Sequence, residues 1–440
     1  MQKYLKFCKR TSKIAKFAGL LRVCARVSMT FMARIEEIRS LFPALSRKVY
    51  GKDLVYFDNA ATSQRPQSVI DMWTKITSES NANIHRAVHR LADEATQAYE
   101  QARDSVRDFI NARSREEIIF TSGTTAAVNL VAFSFGEAFV KEGDEVVVTE
   151  AEHHSNIVPW QMMCKRKGAV LKVLPVDDSG HLRTEMLDEI LSVKTRIMAV
   201  THISNVLGLI NPVKEIIEKC HASGIPVLID GAQGVVHSKV DVQDLDCDFY
   251  VFSGHKLYAA TGTGVLYGKK ELLDEMPPYM GGGEMVGTVS FEETTYAPLP
   301  MKFEAGTQNF ASAATLKSAI EFTNLLNDNE LVDKLDKIRD YLLDYLRSDE
   351  RITLYGVPRG TNDEKIPLFS FTVKGIHHED LALILDKMGI AVRSGQMCAE
   401  PLMTRFGVTG MLRVSLAPYN TLEEAEYFIR CLDKAIKMLQ

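Results

Sequence analysis

Four short segments combine residue types that could bind or transform a small molecule, and each follows an apolar run. Ser122-Gly123-Thr124-Thr125 sets a glycine and hydroxyls where a helix is expected to start. Free N–H groups and the positive end of the helix dipole make such a turn an anion site, most often for phosphate, although many turns of this kind are plain helix caps. Glu150-Ala151-Glu152-His153-His154-Ser155-Asn156 holds two adjacent imidazoles. No further ligand stands at a helical zinc spacing such as H-E-x-x-H, so no metal is expected. An imidazole stacked on a planar ligand fits better, with a surface loop as the plain alternative. Asp230-Gly231-Ala232-Gln233 ends its run in a carboxylate. A buried acid is costly unless paired, and either a structural cation or the cationic ring nitrogen of a cofactor would pair it. Ser253-Gly254-His255-Lys256 ends the next run in an amine that could form an imine with an aldehyde, though a lone lysine is usually a solvated surface group. Phosphate turn, ring-nitrogen acid and imine lysine, in that order, meet the requirements of pyridoxal 5′-phosphate together where none does alone.

The elements that must position these residues read as strands alternating with helices. Strands are expected over 117–121, 145–149, 170–175, 197–202, 226–230 and 248–253, each short and rich in Val, Ile or Phe. Helices are expected over 125–142 and 212–223, the second with Asn211 as N-cap and Pro212 in the first turn. Near-continuous apolar strands separated by helices imply an α/β fold, a mostly parallel sheet covered on both faces. Ligands then gather at the C-terminal ends of the strands. Residues 276–309 are rich in Pro and Gly and read as long loops. From about 311 the pattern changes to a smaller α+β domain: a long amphipathic helix, strands at 368–373, 390–393 and 412–416, a helix at 378–388, and a final helix opened by a Thr421–Glu424 capping box.

The composition is that of an ordinary globular chain. Of 440 residues, 46% are hydrophobic and 25% charged, with net charge −5. No global basic field points to nucleic acid. No run of about twenty apolar residues points to a membrane span. Seven cysteines, an odd number without a C-x-x-C pair, argue against a disulfide framework and for a reducing compartment. Residues 1–35 carry nine basic residues and no acid. They read as a transit-like segment or an upstream extension, and the scarcity of serine favours the extension. Cytoplasmic residence is expected, or an organellar matrix if the segment is a transit signal. Among the cysteines, Cys398 stands out because its loop contains glycine and Arg393 nearby would favour a thiolate. Cys164, Cys220, Cys247 and Cys431 lie in or beside apolar patterns and read as structural.

Longer motifs extend this reading: Phe57-Asp58-Asn59-Ala60-Ala61-Thr62, His85-Arg86-Ala87-Val88-His89, Ser204-Asn205-Val206-Leu207-Gly208, Gly281-Gly282-Gly283-Glu284-Met285, Phe303-Glu304-Ala305-Gly306-Thr307 and Arg393-Ser394-Gly395-Gln396-Met397-Cys398-Ala399. With the four segments above, they resemble the class V branch of fold-type-I pyridoxal-phosphate enzymes, and more narrowly the SufS-type (group II) cysteine desulfurases, over residues 35–440. The resemblance implies a large cofactor domain over 56–310 with a seven-stranded sheet, a small domain over 311–440 carrying the reactive cysteine, and a 35–55 segment packed with the small domain.

It also implies roles. Lys256 would hold the cofactor as an imine and move the substrate α-proton. Asp230 would pair with the ring nitrogen, Gln233 would bond the ring oxygen, and His153 would stack on the ring. Thr124, Thr125, Ser253 and His255 would bind phosphate, joined by Thr307 from a second subunit of a homodimer. Asn205 and Arg413 would hold the substrate carboxylate, with Arg393, His85 and Asn59 also at the substrate. Cys398 would attack the sulfur of L-cysteine, leaving L-alanine and a Cys398 persulfide. The sulfur would pass to an acceptor protein of SufE or SufU type and an iron–sulfur scaffold. Many relatives carry His-His before this cysteine, where this chain has Gln396-Met397, so proton handling would fall to the cofactor, the substrate or His153. Selenocysteine lyase and cysteine-sulfinate desulfinase remain alternatives in the same pocket; an aminotransferase is a more distant one.

Overall fold

The structure, a computed structural model, describes residues 35–326 and 329–440. The basic stretch over 1–34 lies outside the described residues. Strands β1 (Ile118–Thr121), β2 (Glu145–Thr149), β3 (Val170–Leu174), β4 (Thr195–Thr201), β5 (Val227–Asp230), β6 (Phe249–Ser253) and β7 (Gly264–Gly268) form one sheet in the order β1-β7-β6-β5-β4-β2-β3. Strands β2 to β6 run parallel. Strand β7 is antiparallel to both its neighbours, β6 and β1. Alternate residues of one strand enter opposite layers: Val227 and Ile229 of β5 join one buried cluster, and Leu228 joins the other. Burial on both faces explains why these strands read as unbroken apolar runs.

The smaller domain holds β8 (Ile352–Tyr355), β9 (Leu368–Val373), β10 (Arg393–Gly395) and β11 (Met411–Ser415) as an antiparallel sheet in the order β8-β9-β11-β10. Helices His378–Lys387 and Leu422–Leu439 place Leu381, Phe428 and Leu432 over Phe369 and Phe371. Thr421 and Glu424 form the capping box expected from their spacing.

Several details depart from the sequence reading. Strand β7 went unrecognised because its five residues, Gly-Val-Leu-Tyr-Gly, are flanked by glycine. Its Gly264 is obligatory: a Cβ there would strike the Gly123 backbone and the Phe252 carbonyl. The expected loops over 276–309 include a hairpin, Val286–Val289 with Thr294–Tyr296. Asn211 is not the N-cap of its helix. Pro212 precedes Val213–Ala222, and the Asn211 amide donates to the Thr201 carbonyl at 2.8 Å. The long helix expected from 311 is two helices, Phe310–Leu326 and Asn329–Ser348. The first sends Ala313, Leu316 and Ile320 into the large-domain cluster, and the second sends Ile338 and Leu342 into the small-domain core.

The segment before residue 56 touches both domains. Phe42 meets Phe322 and Tyr419 edge-on at 5.3 and 4.5 Å. Val55–Tyr56 pairs in parallel with Ile390–Ala391 of the small domain.

Candidate functional site

A cavity of about 250 Å³ lies where the C-terminal ends of the large-domain strands face β10 and β11. Residues at or shortly after the strand ends line it. Thr124 opens the helix Thr124–Phe139 after β1, and its N–H donates to Ser253 Oγ at 2.8 Å. The Thr124 and Ser253 hydroxyls are also 2.8 Å apart. With Thr125 and His255, they line one end of the cavity. Helix-start N–H groups with converging hydroxyls fit a phosphate.

Asp230 ends β5, almost wholly buried, and its Oδ1 accepts from the Ala232 N–H at 3.0 Å. Burial pushes its carboxyl up, while that N–H and the charge of Lys256 pull it back. A buried carboxylate so thinly bonded suits a cationic ring nitrogen. Lys256 lies three residues past β6, and burial lowers its amine to about 8, with Asp230 raising it and Arg413 and Arg393 lowering it. Such an amine is neutral often enough near pH 8 to bond an aldehyde carbon. Gln233 is buried on the cavity wall, with Nε2 on the Ala60 carbonyl at 2.9 Å.

His153 presents a neutral ring. Burial above all, then the charge of Lys256, lowers it to about 3. Its Nδ1 accepts from the Ser155 N–H at 3.1 Å, which assigns the proton to Nε2. Just beneath it, Glu152 is fully enclosed and accepts from Thr149 Oγ1, Asn156 Nδ2 and the Thr201 N–H at 2.6, 2.6 and 2.8 Å. Burial lifts its carboxyl to about 8. Sequence reasoning gave Glu152 no role, although an acid beside the paired histidines, next to an apolar strand, was the available signal.

The far wall comes from the small domain. Arg413 on β11 donates through Nη1 to the Asn205 carbonyl at 2.8 Å and through Nη2 to Asp58 at 3.1 Å. Its buried Nε has no acceptor, so the guanidinium keeps N–H capacity beyond these two bonds. Cys398 follows β10, with its Sγ 4.0 Å from Arg393 Nη2. Asn205 also lines the cavity, and its amide donates to the Met397 carbonyl at 2.9 Å.

Three expected residues are not brought to this cavity within one chain. Asn59 spends its amide on the Ser415 and Tyr56 carbonyls, accepts from the Tyr419 hydroxyl, and belongs to the domain junction. His85 lies in a surface turn, in the left-handed region at φ 69°, with its imidazole packed edge-on to Tyr99 and 3.8 Å from Glu100. Thr307 stands exposed on a separate loop. Among the described residues, no cluster of His, Cys, Asp and Glu suits a metal ion, and no helix is long and apolar enough to cross a membrane.

The class-V aminotransferase family model matches residues 55–428, and the chain belongs to that pyridoxal-phosphate-dependent family. Its relatives narrow the class to cysteine desulfurases. A cysteine desulfurase of Enterobacter sp. (strain 638) is 46% identical over 406 residues, 92% of this chain and 99% of the relative. One from Synechococcus elongatus is 48% identical over 410 residues, and the chain spans 64% of that longer protein. The solved cysteine desulfurase CsdA of Escherichia coli, in an S-sulfonic acid form, superposes with TM-score 0.84 at 38% identity, covering 93% of this chain and 100% of that one.

Proposed function

We propose that the chain is a cysteine desulfurase of group II type, converting L-cysteine to L-alanine and holding the released sulfur as a persulfide on Cys398. The observation that carries this reading is the meeting of a thiol, Cys398, and a buried amine, Lys256, in one cavity with Arg393, Arg413 and Asn205. An aminotransferase needs no thiol there.

Pyridoxal phosphate, when bound, supplies an electron sink that acidifies the substrate α-proton and weakens the bond to sulfur. Lys256 Nζ would hold it and would accept and return that proton. Asp230 would bond the ring nitrogen, Gln233 the ring oxygen, and His153 would cover a face. Thr124, Thr125, Ser253 and His255 would hold the phosphate, with Thr307 supplied by a second copy. The Arg413 guanidinium and the free N–H of Asn205 hold the substrate carboxylate. Cys398 Sγ, 4.0 Å from Arg393 Nη2, would attack the substrate sulfur; the S–S bond would form as the carbon–sulfur bond breaks, its electron pair staying with carbon.

The acceptor of the sulfur is a dedicated protein of SufE or SufU type, serving iron–sulfur assembly in the cytoplasm. A short loop keeps the persulfide near the cavity, so the acceptor must come to it. Mass spectrometry after brief exposure to L-cysteine should show one extra sulfur on the peptide holding Cys398. Unmodified Cys398 during steady alanine production would contradict the reading. Cysteine sulfinate and selenocysteine, run beside L-cysteine, separate the two related activities.

A further inference from the structure

The turn that presents Cys398 is held in part by a residue outside the chemistry just described. Met397 and Cys398 both sit in the left-handed region, at φ 53° and 56°. Two successive side-chain-bearing residues there are costly and persist only where their surroundings fix them. Inside the loop, the Ala399 N–H reaches the Gln396 carbonyl at 3.0 Å and Gln396 Nε2 reaches Glu400 at 3.1 Å. Three further hydrogen bonds come from the large domain. The His154 N–H donates to the Cys398 carbonyl at 2.7 Å. The Glu400 N–H donates to His154 Nε2 at 3.0 Å. Asn205 Nδ2 takes the Met397 carbonyl at 2.9 Å.

The helix Glu400–Phe406 begins just after Cys398, and its N-cap residue, Ala399, has no side-chain acceptor. The first N–H groups of a helix need acceptors from elsewhere. His154 supplies one across the domain junction, so a single residue grips the loop at the nucleophile's own carbonyl and again two residues further on. Its neighbour His153 lines the cofactor cavity. One two-residue turn therefore sets the distance between cofactor and thiol.

Resting on the desulfurase reading, we propose that His154 is a positioning residue for Cys398, clamping the nucleophile loop through its imidazole while His153 faces the cofactor. The backbone half of the clamp survives any substitution, and the imidazole half does not. His154→Ala removes the acceptor, whereas His154→Gln offers an amide oxygen at similar reach.

The test uses the full-length, cofactor-loaded protein. In the absence of substrate, iodoacetamide alkylation of Cys398 is followed by mass spectrometry, with Cys164, Cys220, Cys247 and Cys431 as internal standards. Alanine formed in the first turnover is measured beside it, together with KM for L-cysteine, cofactor absorbance and melting temperature. In His154→Ala, Cys398 should alkylate at least about threefold faster and first-turnover alanine should form about tenfold or more slowly, since small misplacement of a reacting group carries penalties of that order. KM and cofactor absorbance should hold, and His154→Gln should recover most of both changes. Wild-type alkylation and alanine rates in His154→Ala would overturn the proposal. So would losses that follow cofactor content or melting temperature and are not rescued by Gln. If even the wild-type protein makes no alanine, the desulfurase reading fails, and the alkylation comparison still decides the clamp.

Discussion

Lys256 is enclosed between Asp230, which favours its charged form, and Arg393 and Arg413, which with burial oppose it. Its amine must be neutral to attack a carbonyl. Because its pKa is lowered to about 8 from 10.5, the reactive fraction rises about tenfold per pH unit below 8 and levels off above it. Stopped-flow capture of pyridoxal phosphate by the cofactor-free protein should show that plateau, and Asp230→Asn should move its midpoint to lower pH. A midpoint near 10 would contradict the burial of this amine. At this scale much of the site was legible, because Thr124, His153, Asp230 and Lys256 each closely follow a strand and carry unusual chemistry for a strand end. The partners of those residues were not. Asp58 pairs with Arg413 across 355 positions of sequence, and His154 meets a loop more than 240 residues away. Asn59, expected at the substrate from the resemblance, here donates to the Ser415 and Tyr56 carbonyls.

The loop carrying Thr307 is anchored by a buried ion pair. Arg103 on the helix Arg90–Phe109 reaches Glu304 at 2.7 and 2.9 Å, both side chains fully buried. Glu304 also accepts from the Tyr99 hydroxyl and the Phe120 N–H at 2.8 and 2.7 Å. Removing Glu304 leaves the buried guanidinium only the Glu100 carboxylate and the Ile118 carbonyl. Glu304→Ala should therefore cost about 3–5 kcal/mol in denaturant unfolding. The Arg103→Met/Glu304→Leu pair should lose less than the sum of the two single changes. Additive losses would show that the two groups act independently. Periodicity located the parallel strands because burial on both faces leaves continuous apolar runs. It overlooked β7 and the 286–296 hairpin, where glycine and exposed polar residues erase that signal. It did not separate Phe310–Leu326 from Asn329–Ser348 because both carry helical apolar spacing and the sequence has no glycine or proline between them.

The proposed cofactor residues lie around the seven-stranded sheet and the proposed nucleophile, Cys398, beside the four-stranded one, with the segment before residue 56 reaching the small domain. In one chain the phosphate end of the cavity lacks Thr307, and the dimer we propose would complete it. Sedimentation should give a particle of twice 49.2 kDa, and Thr307→Ala should weaken cofactor retention; a monomer retaining cofactor at full occupancy would contradict this. The central claim, that Cys398 takes sulfur from L-cysteine in a cavity built around Lys256, is tested most directly by product balance. Purified protein with L-cysteine and a reductant should yield equimolar alanine and sulfide, and Cys398→Ala should keep its yellow cofactor and yield neither. Undiminished sulfide and alanine from Cys398→Ala would contradict the account.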